Sequence, residues 1–437
     1  MSAVDLVTLA TCDLGAIVRG RAVPVAELGR HLTAGVGWVP ANQSLTPLGP
    51  LAEHSPFGSV GDLRLLPDTA AHVKVEGDED NSALELILCD ITETDGTPWA
   101  ACPRRFMREA VEQLSSELSV SVDASFEHEF QLLREEPSAL PFSLEAQRRA
   151  EPLPGRLMGA LAEAGLEPER FFAEYSSHQF EVPVAPAEGL AAADRAVLFR
   201  EVVREAARRC AVRATFTPLL DPTQAGNGVH VHIALRAADG GSALYDPARP
   251  ARLSELGAAF AAGILRHARA LSALTAPSPV SATRLTPHRW SAGAVCLAER
   301  NREALLRIPP LVEVGGASEE AQMRLEYRGA DASANPYLAL GAVLRAGLEG
   351  VRAGLPAPLI LDRDPGELDE AEAGRFGVGA LPGSLSEALQ ALADDDVASA
   401  WLPQVLYDAY TGIKRAELEA ADGAELEEVC RRYAHVY

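Results

Sequence analysis

Val120-Ser121-Val122-Asp123-Ala124-Ser125-Phe126-Glu127-His128-Glu129-Phe130-Gln131-Leu132-Leu133 alternates apolar and polar side chains as a half-buried strand does. On such a strand residues two apart share a face, so Glu127 and Glu129 point together. Paired carboxylates between apolar neighbours are costly to bury unless a cation joins them. Taken alone, the segment suits a solvated edge strand equally well. Three further segments carry the same residue types. Glu174-Tyr175-Ser176-Ser177-His178-Gln179-Phe180-Glu181 sets two carboxylates around a short polar loop. Gly226-Asn227-Gly228-Val229-His230-Val231-His232 puts two histidines on one strand face, with glycines that let a substrate approach the backbone. Arg324-Leu325-Glu326-Tyr327-Arg328 presents cation, anion and cation on one face, a pattern that by itself also describes a surface ion-pair ladder. Glutamates and an imidazole without cysteine suit Mg²⁺ or Mn²⁺ better than Zn²⁺. Arg284 and the run Arg300-Asn301-Arg302-Glu303-Ala304-Leu305-Leu306-Arg307-Ile308-Pro309 add the cations that phosphoryl transfer needs on equatorial oxygens.

The 437 residues carry 62 acidic and 39 basic side chains, a net charge of −23. That balance argues against a nucleic-acid or anionic-membrane surface. With 47% apolar residues the chain can bury a sizeable core. No stretch approaches the roughly 18 apolar residues of a membrane span. Met1 to Gly15 carries Asp5 and Asp13 and no basic region, unlike a secretory signal. The six cysteines show no framework spacing, which favours reduced thiols in a cytoplasmic protein. Residues 4–100 read as short strands between turns, with Thr33 to Val60 as a long loop. The character changes near Pro103, predicting an N-terminal domain over 1–103 and a larger one over 104–437. In the second, helices are expected over Glu145 to Ala164, Gly189 to Cys210, Arg252 to Leu274, Asn335 to Val351, Ser384 to Leu392 and Leu406 to Ala421. Asp364 to Gly383 reads as a Gly- and Asp-rich connection.

Taken together and in chain order, these segments resemble the glutamine synthetase family. Glu127-His128-Glu129 is similar to its ExE strand, Glu174 with Gln179-Phe180-Glu181 to its E…GQxE loop, and Gly226 to His232 to its GxGxHxH strand. Asn301 to Pro309 resembles NRxAxxRIP; Glu326-Tyr327-Arg328 with Asp331 to Ala339 resembles ExR followed by DxxANPYLA. Gly61 to Asp68 resembles a segment of the family's small N-terminal domain. The resemblance implies an α+β fold: a small N-terminal β-grasp domain, then a large catalytic domain with a curved antiparallel sheet. It implies ATP as substrate, at least two Mg²⁺ or Mn²⁺ ions, and transfer of the γ-phosphoryl group to glutamate before a nitrogen nucleophile displaces phosphate. By resemblance Glu129, Glu174 and Glu181 hold one ion and Glu127, His230 and Glu326 the other. Arg284, Arg307 and Arg328 are the implied catalytic arginines. Gly226, Arg284, Arg328, Asp62 and Trp290 face glutamate and the amine, while Glu169, His232, Arg302, Arg307 and Arg324 lie on the nucleotide side. Two stacked hexameric rings are implied, with Asp62 and the loop from Thr33 to Val60 completing a neighbour's site.

The departures bear on the nucleophile. Ammonia-using members carry a glutamate in a PGYEAP-like segment; here Pro287-His288-Arg289-Trp290-Ser291-Ala292 has Trp290 in its place. The early acidic DGSS segment is replaced by an acid-free stretch over Gly37 to Leu45. Losing two carboxylates weakens the field that concentrates NH₄⁺, and an indole offers a wall for a substituted amine, though it also suits simple packing. The expected activity is therefore a γ-glutamyl–amine ligase acting on a polyamine, ethanolamine-like amine or alkylamine. Ammonia ligation and a non-catalytic ring scaffold are the alternatives. The Thr33 to Val60 loop offers Glu53 as its one acid, which favours a monoamine or short amino alcohol over a long polycation.

Overall fold

The computed structural model describes residues 4–287, 289 and 291–437. Five strands, β1 (Leu6–Cys12), β2 (Val18–Pro24), β3 (Val36–Trp38), β4 (Leu63–Val75) and β5 (Leu84–Glu93), form one sheet in the order β2-β1-β5-β4-β3. Strand β1 runs parallel to β5, and every other neighbour is antiparallel, the mixed arrangement of a β-grasp. The expected long loop is more structured than its Gly- and Pro-rich composition suggests. Val36–Trp38 pairs with Leu63–Leu65 of β4, and Pro40–Ser44 forms a 3₁₀ turn with proline at its start.

The second sheet is built from β6 (Val120–Leu133), β7 (Phe172–Ala173), β8 (Gln179–Glu181), β9 (Ala187–Glu188), β10 (Arg213–Thr215), β11 (Val229–Ala237), β12 (Ala294–Glu299), β13 (Ala304–Ile308), β14 (Leu325–Ala330) and β15 (Ile360–Leu361). Its order is β15-β12-β13-β14-β11-β6-β8-β7, with β9 and β10 also paired to β6. From β13 to β7 the sheet is antiparallel, as expected; its far edge is not, since β12 runs parallel to both β13 and β15. Along β6 burial alternates residue by residue from Val120 to Phe130, so one face meets the core and the other carries Glu127 and Glu129. His128 faces the core, 5.2 Å from the Phe199 ring, and burial pushes its imidazole down to about 3.

Helices Pro103–Leu118, Leu190–Arg209, Glu255–Arg266, Ala268–Thr275 and Pro336–Arg352 are among those that pack with this sheet and one another. Asn335 caps the last of them, accepting from Tyr337 N and Leu338 N, while its amide donates to the Asp13 carbonyl at 2.8 Å. Two expected helices are broken. Pro152 interrupts the first, giving Leu144–Arg149 and Leu153–Glu163, because a helix-interior proline lacks the needed N–H. The second divides at His267, whose Nδ1 meets Asp395 at 2.6 Å. The expected connection after Asp364 contains a helix, Glu370–Phe376, nucleated by a capping box between Asp369 and Glu372. Buried apolar residues from Val7 to Tyr437 form one continuous cluster across both sheets.

The two sheets are also clasped by charge. The Arg104 guanidinium lies within 3.0 Å of Asp68 on β4, Asp90 on β5 and Asp194 on the Leu190–Arg209 helix, and Tyr337 donates to Asp194.

Candidate active site

Sheet register assembles the cluster. Across β6 and β11, Glu127 faces His230; across β6 and β8, Glu129 faces Glu181. Across β11 and β14, His232 faces Glu326, and across β14 and β13, Glu326 faces Arg307. Directly opposed residues on antiparallel strands have Cβ atoms about 5 Å apart, so five strands deliver these side chains to one patch. The result is a cavity of about 870 Å³. Its lining includes Glu127, Glu129, Glu174, Glu181, His230, His232 and Glu326, together with Gly226, Arg284, Arg302, Arg307, Arg324 and Arg328.

Ligand atoms of Glu127, Glu181 and His230 lie within 4.8 Å of one another, as do those of Glu127, His232 and Glu326. Burial, followed by the neighbouring carboxylates, pushes Glu181 well above the usual range and Glu174 up to about 7. Burial opposes charge on Glu326 too, yet Arg328, the two histidines and Arg307 outweigh it and hold the carboxyl at about 2. Arg307 donates to Glu326 Oε2 at 2.7 Å and Arg328 to Oε1. Burial, then Arg328, lowers His230, which favours the neutral imidazole that can ligate a metal. Crowded carboxylate oxygens, of which Glu174 and Glu181 bear the cost of burial beside other acids, a neutral imidazole and no cysteine among the described lining residues fit hard divalent cations.

Hydrogen bonds order the remaining groups. Gln179 Nε2 lies 3.0 Å from Glu129 Oε2, the Gly226 carbonyl and Asn227 Oδ1, so one amide joins a metal-side carboxylate to the glycine loop. Gly228 N also donates to Glu129, at 2.8 Å, leaving Oε1 for the cavity. Arg324 Nε donates to His232 Nδ1 at 3.1 Å, which leaves the other ring nitrogen as the proton carrier. Arg284 is anchored on the Ala330 carbonyl at 2.7 Å. Arg289 ties its segment to the Gln224 and Pro222 carbonyls at 2.6 and 2.7 Å.

Two expected residues do not line this cavity. Glu169 is exposed and paired with Arg170 at 3.3 Å, so that Arg170 rather than Glu169 reaches the lining. Asp62 is exposed on the N-terminal domain. Trp290 lies outside the described residues. Among the lining residues that carried no role in the sequence, Gln179 and Arg289 stood inside quoted segments, whereas Phe142 and Phe172 gave no signal beyond their letters.

Residues 1–99 match the family model of the glutamine synthetase N-terminal domain, and residues 100–433 that of the glutamine synthetase catalytic domain. A solved structure described as a novel glutamine synthase homolog superposes with a TM-score of 0.92 at 48% identity, covering 100% of this chain and 99% of that one. Gamma-glutamylpolyamine synthetase of Streptomyces coelicolor is 33% identical over 99% of this chain and 93% of its own length. The glutamine synthetase of Methanocaldococcus jannaschii is 30% identical over 82% of this chain and 79% of its own. The fold and the carboxylate–arginine cavity are those of an ATP-dependent ligase that joins a carboxylate to ammonia or an amine. The chain belongs to the glutamine synthetase family, whose catalytic domain implies ATP and divalent cations.

Proposed function

We propose that this ligase joins the γ-carboxylate of glutamate to an organic amine through γ-glutamyl phosphate. One observation carries the choice of amine over ammonia. Among the described residues lining the cavity, the acids are Glu127, Glu129, Glu174, Glu181 and Glu326, and all belong to the proposed metal set. Within one chain none of these is left over to hold a small ammonium ion, so Asp62 of a neighbouring copy would be the one further acid. The name of the Streptomyces coelicolor relative supports the same direction and weighs for a polyamine; the acid-poor loop around Glu53 weighs for a shorter amine. A second reading, ammonia as nucleophile, is favoured by relatives named glutamine synthetase at about 30% identity.

Glu129, Glu174 and Glu181 would hold one divalent ion, and Glu127, His230 and Glu326 a second. Such ions offset the repulsion between ATP phosphates and the glutamate carboxylate. Gly226 gives the amino acid its close approach, and Arg284 and Arg328 meet its carboxylate and the transferred phosphoryl group. Arg302, Arg307 and Arg324 meet phosphate oxygens, and His232 offers its N–H on the same side. This is charge stabilisation prepared before the reaction, since Glu326 already fixes Arg307 and Arg328. The amine nitrogen then attacks the carbonyl carbon of the γ-carboxyl group, the bond from that carbon to the phosphate oxygen breaks, phosphate leaves, and the amine's extra proton is lost. Self-association into stacked rings would bring a neighbour's Asp62 to this cavity.

The test is phosphate release from ATP and glutamate with Mg²⁺ or Mn²⁺, across ammonium, methylamine, ethylamine, ethanolamine, putrescine and spermidine, with products checked by mass. A strong response to an organic amine with little to ammonium is expected. Dominance of ammonium would instead make the protein a glutamine synthetase.

A further inference from the structure

We infer that Phe142 and Tyr175 form the acceptor end of the cavity and select primary amines that carry an aliphatic stem, an inference that rests on the proposed function. The two rings line the cavity with centroids 6.4 Å apart and planes tilted by 59°. They are 53% and 56% exposed, although most other aromatic side chains of the described chain are buried or half-buried. Exposed apolar surface at the mouth of a polar cavity marks a contact made with something else.

Both rings are held in place by their backbones. Phe142 sits at φ +57°, a conformation that bulky residues adopt only where the surroundings impose it. The neighbouring Ser143 imposes it: its hydroxyl donates to the Leu140 carbonyl at 2.7 Å and accepts from Ala146 N at 3.0 Å, capping the next helix. Tyr175 stands at the tip of a loop whose next two residues are docked. Ser176 donates to the Ala225 carbonyl at 2.7 Å, and Ser177 N to Gln224 Oε1 at 3.0 Å. That docking surface leads directly into Gly226, so the rings lie at the glutamate end. Arg324, just before β14, and Arg307, on β13, both proposed for the phosphates, lie on the other side of β11.

The chemistry follows from what each nucleophile gains. A protonated amine is attracted to ring faces, and its methylenes leave water against them. Each buried methylene is worth about fourfold in affinity. Ammonium has no stem and takes no such gain, so this wall discriminates without any additional carboxylate.

The experiment compares kcat/KM for ammonium, methylamine, propylamine, butylamine and putrescine in the wild type, F142A, Y175A and the conservative Phe142→Leu and Tyr175→Phe. In the wild type kcat/KM is expected to climb with stem length. In F142A and Y175A the butylamine-to-ammonium ratio should fall at least tenfold, and the conservative variants should restore most of it. A slope unaltered in both alanine variants, in an enzyme that does ligate organic amines, would overturn this inference and leave the proposed function standing. Wild-type turnover of ammonium alone would overturn both. An equal loss for every nucleophile, with a changed assembly mass, would assign the rings to a contact between copies and overturn the inference.

Discussion

Gly226→Ala is the sharpest probe of how the glycine loop serves catalysis. A Cβ at 226 would lie 2.0 Å from the Pro218 carbonyl oxygen and 2.8 Å from Arg284 Cγ. Real Cβ contacts begin near 3.0 Å, so chain and carbonyl must separate by 3.0 − 2.0 = 1.0 Å. Neither side yields cheaply. The Pro218 carbonyl is held by Asn227 N at 2.9 Å, and the Gly226 carbonyl receives Gln179 Nε2 at 3.0 Å. The displaced loop would carry with it the amide that positions Glu129, and would press on Arg284. A misplacement of this size costs roughly 10²-fold in rate, or about 2.7 kcal/mol of barrier. Overpacking should also remove about 1–3 kcal/mol of stability. The assay is initial-rate phosphate release with glutamate varied at saturating ATP and amine, alongside denaturant unfolding. Gly159→Ala is the comparison: on the Leu153–Glu163 helix its Cβ would meet nothing within 4 Å. It should gain about 0.5–1 kcal/mol with unchanged kinetics. Wild-type kcat/KM for glutamate in Gly226→Ala would refute the reasoning.

Metal affinity should depend on pH. With Glu174 raised to about 7 by burial and Glu129, the metal-free site binds protons below that value, so Mg²⁺ or Mn²⁺ must displace them. Affinity should rise from pH 6 to 8 with proton release, seen by calorimetry in buffers of different ionisation enthalpy; a pH-independent affinity would contradict it. Arg104→Met should cost about 3–5 kcal/mol in denaturant unfolding, because it strands the nearly buried Asp194 beside two more carboxylates. A loss under 1 kcal/mol would show that the clasp is dispensable. Trp290→Glu should raise activity with ammonium relative to any organic amine; an unchanged ratio would remove Trp290 from selectivity.

What the sequence showed most clearly was whatever obeys a short period. The alternation over Val120 to Leu133 located β6 and aimed Glu127 and Glu129 correctly, since side-chain facing on a strand needs no distant information. Which strands meet depends on register: the family resemblance grouped Glu127 with His230 and Glu326, whereas the pairing of Glu326 with Arg307 emerged only in the structure. The breaks at Pro152 and His267 differ in kind. The proline is plain in the letters, but the apolar spacing on either side of it runs on as though through one helix. His267 leaves a helix because Asp395, 128 residues away, holds its ring. The helix after Asp364 was hidden by composition, although Asp369 and Glu372 stand at capping-box spacing. Glu169 differs again: it is exposed beside Arg170, and which of two adjacent long side chains reaches the cavity is not encoded in their spacing. Phe142 was illegible, because its importance comes from a backbone conformation that no periodicity encodes.

The apolar cluster that runs unbroken from Val7 to Tyr437 constrains how the enzyme can move. A hinge between its two sheets would have to tear dry surface and separate Arg104 from Asp68 and Asp90 on every turnover. The two sheets therefore act as one stiff frame beneath the cavity, held by dry surface and by the Arg104 ion pairs alike.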